Sequence, residues 1–85
     1  MKLKLRYFAW VRERIGKPEE VVDVPPAIAT VGQLMEWLAS RGEEYAYAFE
    51  NLNVIRAAID QRHVRADVPI KNACEIAFFP PMTGG

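Results

Sequence analysis

Thr30-Val31-Gly32-Gln33-Leu34-Met35-Glu36-Trp37-Leu38 (residues 30–38) is the stretch that decides how this chain folds. Thr30 followed three residues later by Gln33 is a capping box. The hydroxyl accepts from one orphan N–H at the helix start, and the glutamine side chain reaches back to another. Val31, Leu34, Met35 and Leu38 then recur at helical spacing and lay an apolar stripe along one face, with Trp37 at its edge. Gly42 reads as the stop of this helix, and a further helical turn is expected over 43–50. A helix with one apolar stripe must bury it against another layer. The flanking sequence supplies a sheet.

Before the helix, Leu3, Leu5 and Tyr7 alternate with Lys2, Lys4 and Arg6, which predicts a half-buried strand with a wet, basic face. The period changes at Ala9. Trp10 to Ile15 reads as a short helix closed by Gly16, with Pro18 just beyond. Val21, Val22 and Val24 mark a second strand ending at Pro25-Pro26, so the helical turn serves as the loop of a hairpin-like start. After the main helix, Val54 to Ile59 reads as a third strand, broken by the polar run Asp60-Gln61-Arg62-His63. Val64 and Arg65 make a very short strand, and Pro69 and Asn72 punctuate a loop. Glu75 to Phe79 is the final strand, ended by Pro80-Pro81 because proline cannot continue a ladder. Four to five strands around one principal helix predict an α+β domain with the helix on one sheet face. Leu3, Leu5, Tyr7, Leu34, Leu38, Ile59, Ile76 and Phe78 are its expected core.

The composition agrees. Eighty-five residues, 51% of them hydrophobic, hold one core and one domain over 1–85. Eleven basic residues balance eleven acidic ones, so the total charge asks for neither nucleic acid nor an anionic membrane. The distribution is uneven: residues 1–17 carry six basic and one acidic side chain, whereas 18–50 carry seven acidic and one basic. The lone Cys74 excludes a disulfide framework and a Cys-based zinc site, and it fits a reducing compartment. No signal-peptide pattern or membrane-length apolar run appears, so a small soluble cytoplasmic domain is expected.

Catalytic constellations are missing. His63, the one histidine, lies in an expected turn and reads as an exposed, inert ring. Cys74 shares strand parity with Ile76 and Phe78, which predicts a buried structural thiol. No metal-ligand spacing or phosphate-cradling glycine pattern occurs, and Glu19-Glu20 and Glu43-Glu44 read as solvated charge. The chain alone is therefore not expected to catalyse anything or to bind a cofactor or metal.

What remains is the tail, expected to be flexible over 80–85: Pro80-Pro81-Met82-Thr83-Gly84-Gly85. Two prolines stiffen the exit from the last strand and project it away from the fold. Two residues without Cβ then make a thread thin enough for a narrow channel, ending in an unhindered carboxylate. Once adenylated, such a carboxylate is an electrophile that a sulfur donor converts to a thiocarboxylate.

The ending Glu75-Ile76-Ala77-Phe78-Phe79-Pro80-Pro81-Met82-Thr83-Gly84-Gly85 resembles that of the small subunit of molybdopterin synthase, a ubiquitin-like β-grasp sulfur carrier. Phe8-Ala9-Trp10-Val11-Arg12-Glu13 with Gly16, and Ala58-Ile59-Asp60-Gln61, extend the resemblance over essentially the whole chain. Asn72-Ala73-Cys74 departs from the family's usual Asp-Gly-Asp; Asn72 tolerates a positive φ there and Ala73 does not. The resemblance implies a mixed β-grasp sheet. It implies that Gly85 is adenylated by an ATP-using activating enzyme, then thiocarboxylated with sulfur drawn from a cysteine desulfurase system. Gly84, Thr83, Met82 and Pro81 form the inserting tail. The large subunit of molybdopterin synthase, in a heterotetramer, receives the tail and passes the sulfur to a cyclic pyranopterin precursor to build the dithiolene.

Strand parity adds an interface. Lys4, Arg6 and Phe8 share one face of the first strand, and Phe79 has the wet parity of the last. If these strands are neighbours, Phe8 and Phe79 meet near the tail root as anchors, with Lys4 and Arg6 as steering charge. Three other readings compete: a thiamine-type sulfur carrier, a ubiquitin-like protein modifier, and an interaction module with inert glycines.

Overall fold

A computed structural model describes residues 1–81. The elements run β1 (Lys2–Tyr7), α1 (Ala9–Ile15), β2 (Glu19–Asp23), α2 (Val31–Ala39), α3 (Glu43–Ala48), a 3-10 turn (Leu52–Val54), β3 (Arg56–Ile59), β4 (Arg62–Val64) and β5 (Glu75–Phe79). They build one mixed sheet in the order β2-β1-β5-β3-β4. The central pair β1–β5 is parallel, and the other neighbours are antiparallel. This is the α+β, β-grasp arrangement that the resemblance implies.

Helix α2 starts where its chemistry requires. Thr30 Oγ1 accepts the Gln33 N–H at 3.2 Å, and Gln33 Oε1 accepts the Thr30 N–H at 3.3 Å. Its stripe of Val31, Leu34, Met35 and Leu38 is buried on one sheet face against Leu3, Leu5, Tyr7, Ile76 and Phe78. Phe78 lies at the centre of the aromatic packing, 6.4 Å from the Tyr7 ring and edge-on to Phe49 at 5.3 Å. Gly16 ends α1 at φ +91°, a conformation costly for residues with a Cβ, and its N–H bonds Arg12 O at 2.8 Å.

Several expectations need correction. Gly42 does not stop α2: Ser40 caps it, its hydroxyl donating to Trp37 O at 2.6 Å, and Gly42 precedes α3 instead. The second strand begins at Glu19, because pairing with β1 rather than valine content sets its limits. Val54 belongs to the 3-10 turn and β3 begins at Arg56. The run Asp60-Gln61-Arg62-His63 is no break. Asp60 and Gln61 take φ of +47° and +74°, and Arg62 and His63 return as β4 against Ile59 and Ala58. Ile59 is only half-buried, since β4 beyond it is three residues long. Cys74 is exposed: it precedes β5, where strand parity does not apply, and its N–H is held by the Asp60 carboxylate at 3.1 Å. The same Oδ1 takes the Glu75 N–H at 2.9 Å and so pins the first residue of β5.

Glu20 is also not solvated charge. Its side chain is 13% exposed. Tyr7 and Tyr45 hydroxyls donate to Oε2 at 2.7 and 2.6 Å, and Lys17 and Arg41 approach Oε1 at 3.4 and 3.6 Å. Burial by itself raises the Glu20 carboxyl, but the Tyr45 and Tyr7 hydroxyls and the two cations outweigh it. The net effect holds it below the usual carboxylate range. Burial and the bond to Glu20 push the Tyr7 phenol up, so Tyr7 remains a donor.

Leu38→Ala, at 0% exposure in the core, should cost about 2–5 kcal/mol in denaturant unfolding. An unchanged midpoint would mean that α2 does not face the sheet as described. The depressed Glu20 carboxyl contributes stability above its unfolded value of about 4.3, and that contribution is lost as pH falls through the lower folded value. Glu20→Gln should therefore melt below the parent at neutral pH, with the gap narrowing as both are acidified. A gap independent of pH would contradict this role.

Candidate functional site

The face of the sheet away from α2 carries the expected interface residues. In the parallel register Lys4 lies beside Glu75, Arg6 beside Ala77, and Tyr7 beside Phe78. The Phe8 N–H donates to Phe78 O at 3.1 Å, which continues the pairing by one residue and brings Phe8 level with Phe79. Ala9 then turns at φ +53°, an uncommon angle for a residue with a Cβ, and the chain leaves the sheet as α1. Phe8 is 38% exposed. Phe79 is half-buried, with the His63 ring 5.1 Å away.

Lys4, Arg6, Phe8 and Phe79 thus share one surface. Its electrostatics are more local than a free basic stripe. Lys4 Nζ lies 3.3 Å from Glu19 and Arg6 Nη1 lies 3.9 Å from Glu75, while the Arg6 guanidinium stands 5.2 Å over the Phe8 ring. Ion pairs this exposed contribute about 0–1 kcal/mol to stability. The Arg6 pair holds its cation beside the Phe8 ring. Between the charged rows the floor is shallow and apolar, because Ala77 pairs with Ala58. Sequence reading missed Ala58, Arg56 and His63 on this face. Their placement depends on β3 and β4 joining β5, and the only local signal was the turn-forming Asp60.

Pro80 and Pro81 come directly after Phe79 and are half-buried. The expected tail residues Met82, Thr83, Gly84 and Gly85 lie outside the described residues. Among the described residues no group of three His, Cys, Asp or Glu side chains gathers to hold a metal, and no helix is long and apolar enough to cross a membrane. The surface carries two phenylalanine rings, two cations and a strand leading to its rim.

A family model described as the ThiS family matches residues 5–85. The molybdopterin synthase sulfur carrier subunit of Escherichia coli (strain K12) is 36% identical over 83 residues, covering 98% of this chain and 99% of that protein. The protein of the same name from Haemophilus influenzae is 37% identical over 83 residues, with the same coverage. Among solved structures, a Pyrococcus furiosus protein provisionally named molybdopterin converting factor subunit 1 superposes with a TM-score of 0.74 at 27% identity. That match covers 96% of this chain and 99% of that one.

Parity across β5 yields a paired test. Phe8→Ala should leave stability within about 0.5 kcal/mol of the parent, as at ordinary surface sites, whereas Phe78→Ala should cost about 3–5 kcal/mol. Equal losses in chemical denaturation would mean that the two faces are misassigned.

Proposed function

Because this chain belongs to the ThiS family, we propose that it is the sulfur carrier subunit of a molybdopterin synthase. One observation carries the reading: similarity to two carriers of that name covers 98% of this chain and 99% of each of them, and the family match runs through the Gly84-Gly85 ending. The geometry supports it. Strand β5 delivers the chain to Pro80-Pro81 at the rim where Phe8 and Phe79 lie, so docking at this rim directs the Gly84-Gly85 end into a partner.

The chemistry then proceeds by named bonds. The Gly85 carboxylate attacks the α-phosphorus of ATP in an adenylating enzyme, giving an acyl adenylate and releasing pyrophosphate. The terminal sulfur of a persulfide, supplied from cysteine through a desulfurase, forms the C–S bond and expels AMP; a second thiol then cleaves the S–S bond, becoming a disulfide with the donor and leaving the thiocarboxylate. Docked on the large subunit in a heterotetramer, the thiocarboxylate sulfur attacks a carbon of the pyranopterin precursor, and the C–O bond at that carbon breaks as its oxygen substituent leaves. Hydrolysis of the resulting acyl–sulfur bond returns the carboxylate. Two such deliveries build one dithiolene, so carriers are reloaded between them. Phe8 and Phe79 anchor the docked state, Lys4 and Arg6 speed encounter, and Gly84 supplies clearance for the thread. The names of both relatives favour this pathway over a thiamine-type carrier.

Deletion of Gly85 should abolish sulfur transfer with no loss of thermal stability. The reacting carbonyl must reach two active sites in turn, and one residue of extended chain moves it by about 3.3 Å. A displacement of about 1 Å can already cost a hundredfold in rate. Phe79→Ala should instead leave Gly85 chemically competent but weaken large-subunit binding by about 1 kcal/mol or more. Full product yield from the Gly85 deletion would overturn the proposal.

A further inference from the structure

The sheet has two open edges, and the one formed by β4 differs from the β2 edge. β4 is three residues long and pairs only with β3. Helix α2 runs past it, leaving a cleft between helix and sheet with a cavity of about 300 Å³. The floor is buried and apolar, built by Met35, Ile55 and Ala57, with Val64 half-buried at the mouth. Ala57 faces Val64 across the strand pair. The volume lies at the lower end of the range for ligand sites and accepts a bulky aliphatic side chain.

The rim is cationic. Arg56 and Arg65 line the cleft and both are exposed. The ion pairs of the described residues use neither of them. Arg56 Nη1 donates to Asn53 O at 2.9 Å, which orients that side chain along the 3-10 turn and leaves its other donors available. Arg62 and His63 stand exposed on β4 itself. Asp60, the acidic residue of this hairpin, is occupied by the Cys74 and Glu75 N–H groups. Short, charged edge strands discourage pairing between identical chains. Arg62 and Arg65 outnumber Asp67, the one exposed carboxylate just beyond them, and this net positive charge attracts an acidic strand.

We infer that the β4 edge and its cleft are a second docking surface, for an extended acidic segment of a partner protein with an aliphatic anchor residue. The segment adds to the sheet beside β4 through main-chain hydrogen bonds. Its anchor enters the cleft over Met35, Ile55 and Ala57, and its carboxylates meet Arg56 and Arg65. β4 lies at the sheet edge, and β3 and β5 separate it from β1 with its Phe8 end. The apolar floor of the cleft lies on the α2 side of the sheet, opposite the face that carries Phe8 and Phe79.

The test uses the intact chain and a fluorescein-labelled octapeptide alternating valine with glutamate, followed by anisotropy and by backbone amide shifts. Saturable binding is expected, with shifts centred on Arg62, Val64 and Arg65 and on the first turn of α2. Arg65→Glu, at an exposed position lining the cleft, should weaken binding about tenfold, and so should replacing the peptide's glutamates with lysine. Ala57→Leu, which fills the cavity, should weaken it without altering charge. Undiminished binding by the arginine variant, equal binding of the lysine peptide, shifts confined to the Phe8–Phe79 face, or no saturable binding would each overturn the inference. Because the probe binds the unmodified carrier, the outcome is independent of sulfur transfer.

Discussion

Everything at the functional end of the molecule depends on the parallel pairing of β1 with β5 in the middle of the sheet. An antiparallel pair there would send the end of β5 to the opposite pole from Phe8. The parallel register, Leu5 beside Ile76 and Tyr7 beside Phe78, makes the two strands end together. One inner ring, Phe78, is driven to 0% exposure, and the outer residues Phe8 and Phe79 are left at the rim from which the chain exits. Parallel neighbours need a long crossover, and here it contains β2, α2, α3 and the β3–β4 hairpin. The capped helix α2 is therefore the element that lets the sheet centre exist: its stripe covers the inner face of β1 and β5 at once.

Two polar contacts set the precision of that frame. Asp60 closes the hairpin turn and accepts the N–H groups of Cys74 and Glu75, fixing where β5 begins and hence where it ends. Glu20 ties β1 to α3 through Tyr7 and Tyr45 and draws Lys17 and Arg41 inward. Buried carboxylates are costly unless their oxygens are satisfied. Here both oxygens have partners, so Glu20 stays ionised and joins the layers.

The sequence revealed what local chemistry dictates. Thr30 with Gln33, Gly16 at its positive φ, and the alternating Leu3-Leu5-Tyr7 and Ile76-Phe78 positions all read correctly, because caps, turns and periodicity depend on near neighbours. That Phe8 and Phe79 share one face follows from parity, because β1 and β5 are neighbours. The failures all belong to tertiary context. Gly42 looked like a stop but opens α3, Cys74 looked inward but stands before the strand, and Glu20 looked solvated because its tyrosine partners are 13 and 25 residues away. The β4 edge was misread for the same reason: a left-handed Gln61 has no signature in a polar run.

The central claim is that this fold exists to present one carboxylate for exchange of oxygen by sulfur. The direct measurement is the intact mass of the chain after incubation with an activating enzyme, ATP and a sulfur donor, with fragmentation of the terminal peptide. The account predicts a gain equal to replacing one oxygen by sulfur, localised to Gly85 and dependent on ATP. An unchanged mass with a competent activating enzyme, or a product joined to a lysine of another protein in place of the thiocarboxylate, would contradict it.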